Sequence, residues 1–278
     1  MVRELRRLLV ERPRLEGAEG RLALEAQELH YLRRVLRLRA GQVFGLVDGC
    51  GRLWSAALEP GPVRQQGWAV LQQSLEAPLL SVPAPQPSLQ LAVALPRRDP
   101  EVMLRMACEL GIDSFQWLQA ERSVAEAAIR PERQQAVLRE ALEQCERLWL
   151  PHCLPAQPAL AWLSAATSGV RLLATSRRPT ALPLGEALEA LWPRASAAQP
   201  SGANQPRGAP QPVRLAIGPE GGWSPMEEAA ALERGWQAVQ LGEGILRTST
   251  AAVAAASLLA AWRGGLGFSC GTSPTPSL

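Results

Sequence analysis

The stretch from Val213 to Trp262 limits the possible fold more than any other part of the sequence. An apolar run, Val213–Ile217, leads into Gly218-Pro219-Glu220-Gly221-Gly222, and a helix start follows at Ser224. A second apolar run ends at Leu241-Gly242, and an alanine-rich helix follows it. Strand–loop–helix units of this kind build parallel sheets, whose ligands bind beyond the carboxyl ends of the strands. We therefore expect an α/β domain with its ligand site in these two loops.

The first part of the chain has a different pattern. Short apolar or alternating runs are separated by glycine and proline turns, and Asp48-Gly49 between two of them indicates a hairpin. We expect a small β-barrel over residues 1–76, a proline-rich linker over 77–88, and an α/β domain with a mainly parallel sheet over 89–263. Low-complexity residues 194–212 are expected to form a flexible insertion, and residues 264–278 a disordered tail.

Charge and residue type narrow the classes of partner. All 29 basic residues are arginines, and the net charge is +3. The arginine surplus within residues 1–40 suggests an acidic partner such as nucleic acid, but charge alone favours a solvated face. Five scattered cysteines and two histidines do not predict a metal site. No apolar run approaches the roughly 20 residues that span a bilayer, and no signal peptide is evident, so we expect a cytoplasmic protein without membrane contact.

The two loops suggest what kind of ligand they hold. Glu220 would repel a phosphate, and the G-K-[ST] of a phosphate-binding loop is absent, so hydroxyl, amine or sulfonium groups suit the first loop better. In the second loop, Ile245 and Leu246 are suited to lining a flat ring. Arg247 precedes a helix N-terminus, where a cation is unfavourable unless it serves an anion, a polarised carbonyl or a salt bridge to a glutamate. Thr248 and its neighbours are expected to cap that helix.

The two loops together, IGPEGGWS and LGEGILRTSTA, resemble those of the RsmE family. These are the small-subunit ribosomal RNA uridine-N3 methyltransferases of the SPOUT superfamily. The resemblance continues through further segments: His30 with Val35-Leu36-Arg37, Arg97, Glu109-Leu110-Gly111, Glu121-Arg122-Ser123-Val124, and Arg147 ahead of Pro151. It covers roughly residues 20–60, 89–151 and 213–262.

The resemblance implies a PUA-like N-terminal β-barrel that helps to hold RNA and a C-terminal domain with a trefoil knot. It implies S-adenosyl-L-methionine as cofactor, a homodimer, and ribosomal RNA or the assembled small subunit as partner. The residues expected to bind the cofactor are Gly218, Glu220, Gly221, Leu241, Gly242, Ile245, Leu246 and Thr250. Those expected to contact RNA are Arg33, Arg34, Arg37, Arg97 and Arg147.

Two positions depart from the family pattern L-G-x-R-I-L-R-x-E-T-A. Gly244 stands in place of an arginine, and Ser249 in place of a glutamate. No general base is therefore evident in the loop. We expect Arg247 to be the catalytic residue, stabilising the negative charge that spreads to the uracil carbonyl oxygens. Two alternatives stay open: a SPOUT methyltransferase for another RNA or ring atom, and an RNA-binding protein without catalytic activity.

Overall fold

The structure is a computed structural model that describes residues 5–124, 129–191 and 211–266. They divide into two compact units. The N-terminal unit contains the described part of Met1–Ala84 together with Arg139–Leu150, and the C-terminal unit contains Pro85–Leu138 and Pro151–Ser269. Nearly all of the predicted insertion at 194–212 and of the predicted tail lies outside the described residues. The domain boundaries expected from the sequence stay a prediction.

The N-terminal unit is built on six strands. They run in the order β1-β3-β4-β5-β2, with β6 beside β4, and all pairs are antiparallel except β1 with β3. The strands are β1 (Arg7–Leu9), β2 (Arg21–Ala23), β3 (Val43–Val47), β4 (Arg52–Pro60), β5 (Gly67–Leu71) and β6 (Leu80–Ser81). Two short helices accompany them, α1 (Arg12–Glu16) and α2 (Ala26–His30), and α2 continues into a π-helical turn at Tyr31–Val35.

The predicted hairpin between β3 and β4 is confirmed. Asp48 accepts hydrogen bonds from the backbone N–H groups of Cys50 at 2.7 Å and Arg52 at 3.1 Å. Gly49 has a φ of +70°, a backbone conformation that glycine adopts without cost. The proline-rich segment predicted as a linker also contributes β6 to the sheet.

Residues Arg139–Leu150 complete the apolar interior of the N-terminal unit. Leu142 and Leu148 are buried in one cluster with Leu9 of β1, Val47 of β3 and Leu53 of β4. Leu142 belongs to α4 (Pro131–Cys145). A helix that follows the first α/β strands in sequence therefore supplies part of the interior of a β-rich unit that precedes them.

The C-terminal unit contains a seven-stranded sheet in which every pair is parallel. The order is β11-β13-β10-β12-β7-β8-β9. The strands are β7 (Leu89–Ala94), β8 (Ser114–Gln119), β9 (His152–Pro158), β10 (Val170–Ala174), β11 (Leu182–Pro183), β12 (Val213–Ile217) and β13 (Gln237–Gln240). The remaining helices are α3 (Pro100–Glu109), α5 (Ala159–Ser164), α6 (Leu184–Leu191), α7 (Pro225–Glu233) and α8 (Thr248–Gly265). Within the described part of the chain, no helix is both long and apolar enough to cross a membrane.

This sheet confirms the α/β class with a parallel sheet. Its order also positions the two glycine loops, because β10 lies between β12 and β13 and pairs with both. All three strands run in one direction, so their carboxyl ends meet at one edge. The trefoil knot stays a prediction from the resemblance.

Candidate functional site

A cleft lies at the carboxyl ends of β10, β12 and β13. Its enclosed space is about 90 Å³, and the empty volume of about 670 Å³ between its loops includes open solvent. Three loops form it: the one after β10, the glycine loop after β12 and the loop between β13 and α8. The lining residues are Ala174, Thr175, Ser176, Arg177, Ile217, Gly218, Pro219, Gly222, Trp223, Glu228, Leu241, Gly242, Gly244, Leu246, Thr248 and Ala251.

The glycine loop is a tight turn packed against a tryptophan. The N–H of Gly222 donates to the carbonyl of Pro219 at 2.8 Å, and Gly222 has a φ of +73°. A Cβ on Gly218 would lie only 3.1 Å from the buried ring of Trp223. That ring is fixed by its Nε1–H, which donates to the carbonyl of Ala174 at the end of β10 at 3.0 Å. The loop therefore requires glycine for packing as well as for its turn.

Helix α7 begins at the predicted helix start with a capping box formed by Ser224 and Glu227. The N–H of Glu227 donates to the Ser224 hydroxyl at 3.3 Å, and the N–H of Ser224 donates to Oε2 of Glu227 at 2.9 Å. The other carboxylate oxygen, Oε1, accepts from the N–H of Glu121 at 2.9 Å. Glu227 is 3% exposed. It thus connects the start of α7 to the segment after β8, a contact that the capping motif alone did not predict.

The second loop contacts the first through one side chain. The hydroxyl of Thr248 donates to the carbonyl of Gly218 at 3.0 Å, and Thr248 is buried. The prediction that a hydroxyl caps α8 is wrong, because Arg247 occupies the N-cap position and makes no side-chain capping bond. Thr248 is the first residue of the helix, and its hydroxyl donates to the glycine loop.

The third loop, Thr175-Ser176-Arg177, was not expected from the sequence. It contains no glycine, but it follows the largely apolar run Val170–Ala174, and the edge at which such a strand ends was a usable signal. Arg177 is exposed and its Nη2 donates to the carbonyl of Gly221 at 3.3 Å. The adjacent Arg178 forms an ion pair with Glu228 at 2.5 Å.

The structure brings together half of the residues expected to bind the cofactor. Gly218, Leu241, Gly242 and Leu246 line the cleft. The other four are in the same loops or the first turn of α8 but are not among its lining residues: Glu220, Gly221, Ile245 and Thr250. Ile245 is 86% exposed, so its side chain is directed to solvent. Arg247 is also exposed and outside the lining.

The arginines expected to contact RNA lie in four segments of the chain. Arg33 and Arg34 line a groove of the N-terminal unit with His30 and Arg64. Arg33 also donates to the carbonyls of Arg64 at 2.6 Å and Gln66 at 3.3 Å, so it holds the β4–β5 loop. Arg37 is exposed beyond the π-helical turn, Arg97 is exposed in the segment after β7, and Arg147 is half-buried after α4. Arg64 is a groove residue that the sequence did not single out, and His30 was noted only as part of the family resemblance.

Comparison with protein families identifies both units. A family model described as an RNA methyltransferase domain matches residues 83–260, and one described as an RNA methyltransferase PUA domain matches residues 24–61. The Ribosomal RNA small subunit methyltransferase E of Synechocystis sp. is 34% identical over 243 residues, which are 84% of this chain and 70% of that protein. The protein of the same name from Mycobacterium tuberculosis is 32% identical, covering 84% of this chain and 83% of its own.

Two solved structures of methyltransferases are similar to this chain over most of its length. A Ribosomal RNA small subunit methyltransferase E from Neisseria gonorrhoeae, bound to S-adenosyl methionine, is 25% identical with a TM-score of 0.70, covering 92% of this chain and 97% of that chain. A probable rRNA-methyltransferase from Porphyromonas gingivalis has the same fold, with a TM-score of 0.72 at 24% identity over 94% of this chain and 99% of that chain. With its PUA-like N-terminal unit and parallel-sheet C-terminal unit, the chain belongs to the RsmE family of RNA methyltransferases, that of the Ribosomal RNA small subunit methyltransferase E proteins.

Proposed function

We propose that the protein transfers a methyl group from S-adenosyl-L-methionine to N3 of a uridine in small-subunit ribosomal RNA. The observation that carries the proposal is the cleft built by three loops at the carboxyl edge of the parallel sheet, in a chain of this family. The cofactor supplies an already activated methyl group. What the protein must add is a shaped cleft, correct orientation of the two reactants and stabilisation of the charge that develops on the base.

The lining of the cleft fits such a cofactor. Ile217, Leu241 and Leu246 offer apolar surface for the adenine ring. A Cβ on Gly242 or Gly244 would meet no atom within 4 Å, so the rim of the second loop is open to a ligand. The hydroxyl of Thr248 connects the loop between β13 and α8 to the glycine loop after β12. We propose the four lining residues Gly218, Leu241, Gly242 and Leu246 as the centre of the cofactor-contacting set, with Thr175-Ser176-Arg177 added to it. The other four expected residues, Glu220, Gly221, Ile245 and Thr250, belong to the same loops or to the first turn of α8.

Loss of the N3 proton leaves negative charge on the flanking carbonyl oxygens of the uracil. A cation aimed at those oxygens stabilises that charge. Arg247 is exposed at the start of α8, directly after cleft-lining Leu246, and is thus available to a base that enters from solvent. We propose it as the electrostatic stabiliser. The RNA itself is proposed to contact the arginine-lined groove of the N-terminal unit.

The assembly is also proposed to be a homodimer acting on ribosomal RNA in the cytoplasm. The support lies in α3 and α8, which pack against each other. Val102 and Met106 of α3 and Leu258 of α8 are exposed apolar residues, a type of residue that interfaces between copies of a chain bury.

The test of the function is mass spectrometry of ribosomal RNA nucleosides from a strain that lacks the gene. We expect N3-methyluridine to disappear from small-subunit RNA and to return when the wild-type gene is restored. Restoration with Arg247→Ala should leave the nucleoside absent or reduced by at least tenfold, while calorimetry should detect cofactor binding close to that of the wild type. Normal methylation by this variant would contradict the role of Arg247.

Two alternatives have distinct outcomes in the same experiments. Loss of a different methylated nucleoside would assign the enzyme to another RNA or ring atom. A purified protein that binds RNA but not S-adenosyl-L-methionine would be an RNA-binding homologue without catalytic activity, for which Ser249 in place of the family glutamate is the motivating observation.

A further inference from the structure

Arg177 differs from the other charged residue of the cleft. Among the described lining residues, only Arg177 and Glu228 carry a formal charge. Glu228 is paired with Arg178 at 2.5 Å. Arg177 has only the carbonyl of Gly221, at 3.3 Å, as its side-chain hydrogen-bond partner, and no carboxylate of the described chain pairs with it. Among the described residues, the cleft therefore contains one cation whose charge no carboxylate neutralises.

The position of the guanidinium is set by the glycine loop. A Cβ on Gly222 would lie 3.5 Å from Nε and 3.6 Å from Cζ of Arg177, so the guanidinium group packs along that backbone. The hydrogen bond to Gly221 uses one of its five N–H donors, and the others remain available to a ligand. The side chain is thus positioned by the first loop while most of its donors are free.

The second loop provides no competing cation inside the cleft. Gly244, where the family pattern has an arginine, lines the cleft without a side chain. Arg247 of the same loop is outside the lining. Any anionic group of a ligand in this cleft therefore meets Arg177 and no other cation among the lining residues.

We propose that Arg177 binds the α-carboxylate of the amino-acid end of S-adenosyl-L-methionine. This assignment rests on the proposed cofactor. That ligand carries two positive groups, the sulfonium and the ammonium, and a single negative group, the carboxylate. A guanidinium matches a carboxylate with two parallel N–H···O bonds, so charge and shape both direct the carboxylate to Arg177. The adenine is then oriented toward Leu241 and Leu246 of the other loop.

The test compares a ligand that has the amino-acid end with one that lacks it. S-adenosylhomocysteine has the carboxylate, whereas methylthioadenosine keeps the adenosine and the thioether but lacks the whole amino-acid end. We expect Arg177→Ala to weaken calorimetric binding of S-adenosylhomocysteine roughly ten- to hundredfold and to change methylthioadenosine binding less than about twofold. Arg177→Lys should fall between these, because it keeps the charge and loses the bidentate geometry. Arg234→Ala, an exposed arginine after α7, is the matched control and should bind both ligands as the wild type does.

Each other outcome overturns the assignment. Equal losses for both ligands would mean that Arg177 shapes the cleft as a whole. Unchanged binding of both ligands, with weaker RNA binding and a shallower salt dependence, would mean that Arg177 contacts an RNA phosphate instead. A wild-type protein that binds neither ligand would refute the proposed cofactor itself, whereas wild-type binding that Arg177→Ala leaves intact refutes the role of Arg177 alone. Melting temperatures of all variants check that they are folded.

Discussion

Glu143 is a buried acid at the point where α4 meets the N-terminal sheet. It is 9% exposed and accepts a hydrogen bond from the N–H of Leu9 in β1 at 2.8 Å. Burial raises the pKa of this carboxyl from 4.5 to about 7, because the charged form loses its hydration. The Leu9 N–H and the nearby Arg139 oppose the shift, while Glu28 and Glu140 add to it. The group therefore couples stability to pH near neutrality.

The sign of this coupling follows from proton binding. The folded protein holds the Glu143 proton more tightly than the unfolded chain, so the stability from this group is fully present below pH 4.5 and is lost as the pH rises through about 7. We expect the free energy of unfolding of Glu143→Gln, relative to that of the wild type, to rise by about 2 kcal/mol from pH 5 to pH 8. Glutamine stays neutral and can still accept from Leu9. Urea unfolding of both proteins at the two pH values measures the difference.

Glu132→Gln is the control for that experiment, since Glu132 is an exposed acid on the same helix. Its stability relative to the wild type should not change between the two pH values. If Glu143→Gln behaves in the same way, the carboxyl is ionised throughout the range and its burial has no effect on stability near neutral pH.

At the scale of elements, the start of α7 is held by a single side chain with two roles. One oxygen of Glu227 closes the capping box at Ser224, and the other accepts from the backbone of Glu121. We expect Glu227→Ala to lower the free energy of unfolding by about 2–4 kcal/mol, because two backbone N–H groups lose their acceptor. Ser224→Ala should cost only about 1 kcal/mol, since it removes one capping bond. Thermal or urea unfolding distinguishes the two values, and equal losses would show that the Glu121 contact contributes nothing.

The elements that the sequence predicted are those whose side chains are buried in a regular pattern. Strand β12 begins and ends where expected, because its apolar residues fill the interior of a parallel sheet. Strand β9 was missed, since most of its side chains are exposed and it is held by backbone pairing with β8 at the sheet edge. The short strand β2 was missed for the same reason, with one buried residue of three. A strand held by its neighbour leaves little trace in its own sequence.

The two loops of the candidate site that contain glycine turns could be predicted from the sequence. The third loop could not, because only its position in the folded sheet places it at the cleft. Gly218 and Gly242 indicated two of the three loops that form the cleft. Thr175 to Arg177 have no such signature, and their relevance depends on β10 lying between β12 and β13, an order that arises only on folding. Ile245 gave a signal that the structure does not support. As an apolar residue in a loop it suggested contact with a flat ring of the ligand, but its side chain is exposed.

For the whole molecule, the N-terminal unit is not continuous in sequence. Leu142 and Leu148 bury Leu9, Val47 and Leu53, and Trp149 donates its Nε1–H to the carbonyl of Val82 at 3.1 Å. We expect a fragment of residues 1–84 to lack a cooperative unfolding transition, because this apolar cluster would be exposed to water. Joining residues 139–150 to it through a flexible glycine-serine linker should restore the transition, as circular dichroism during urea titration can measure.

The matched control for that fragment is the same linker joined to residues 139–150 with Leu142 and Leu148 both changed to serine. It should behave like the bare fragment. If residues 1–84 alone unfold cooperatively with the stability of the joined fragment, the contribution of the helix to this unit is negligible.

The discontinuity also has a consequence for synthesis on the ribosome. The chain emerges from its amino end, and an N-terminal domain commonly folds while the rest is still being translated. Here the interior of the N-terminal unit cannot close until Leu150 has been synthesised. By then more than half of the 278 residues have been made. During that interval β7 and α3 also emerge. The strands of both units must therefore find their correct pairing partners in the nascent chain at the same time.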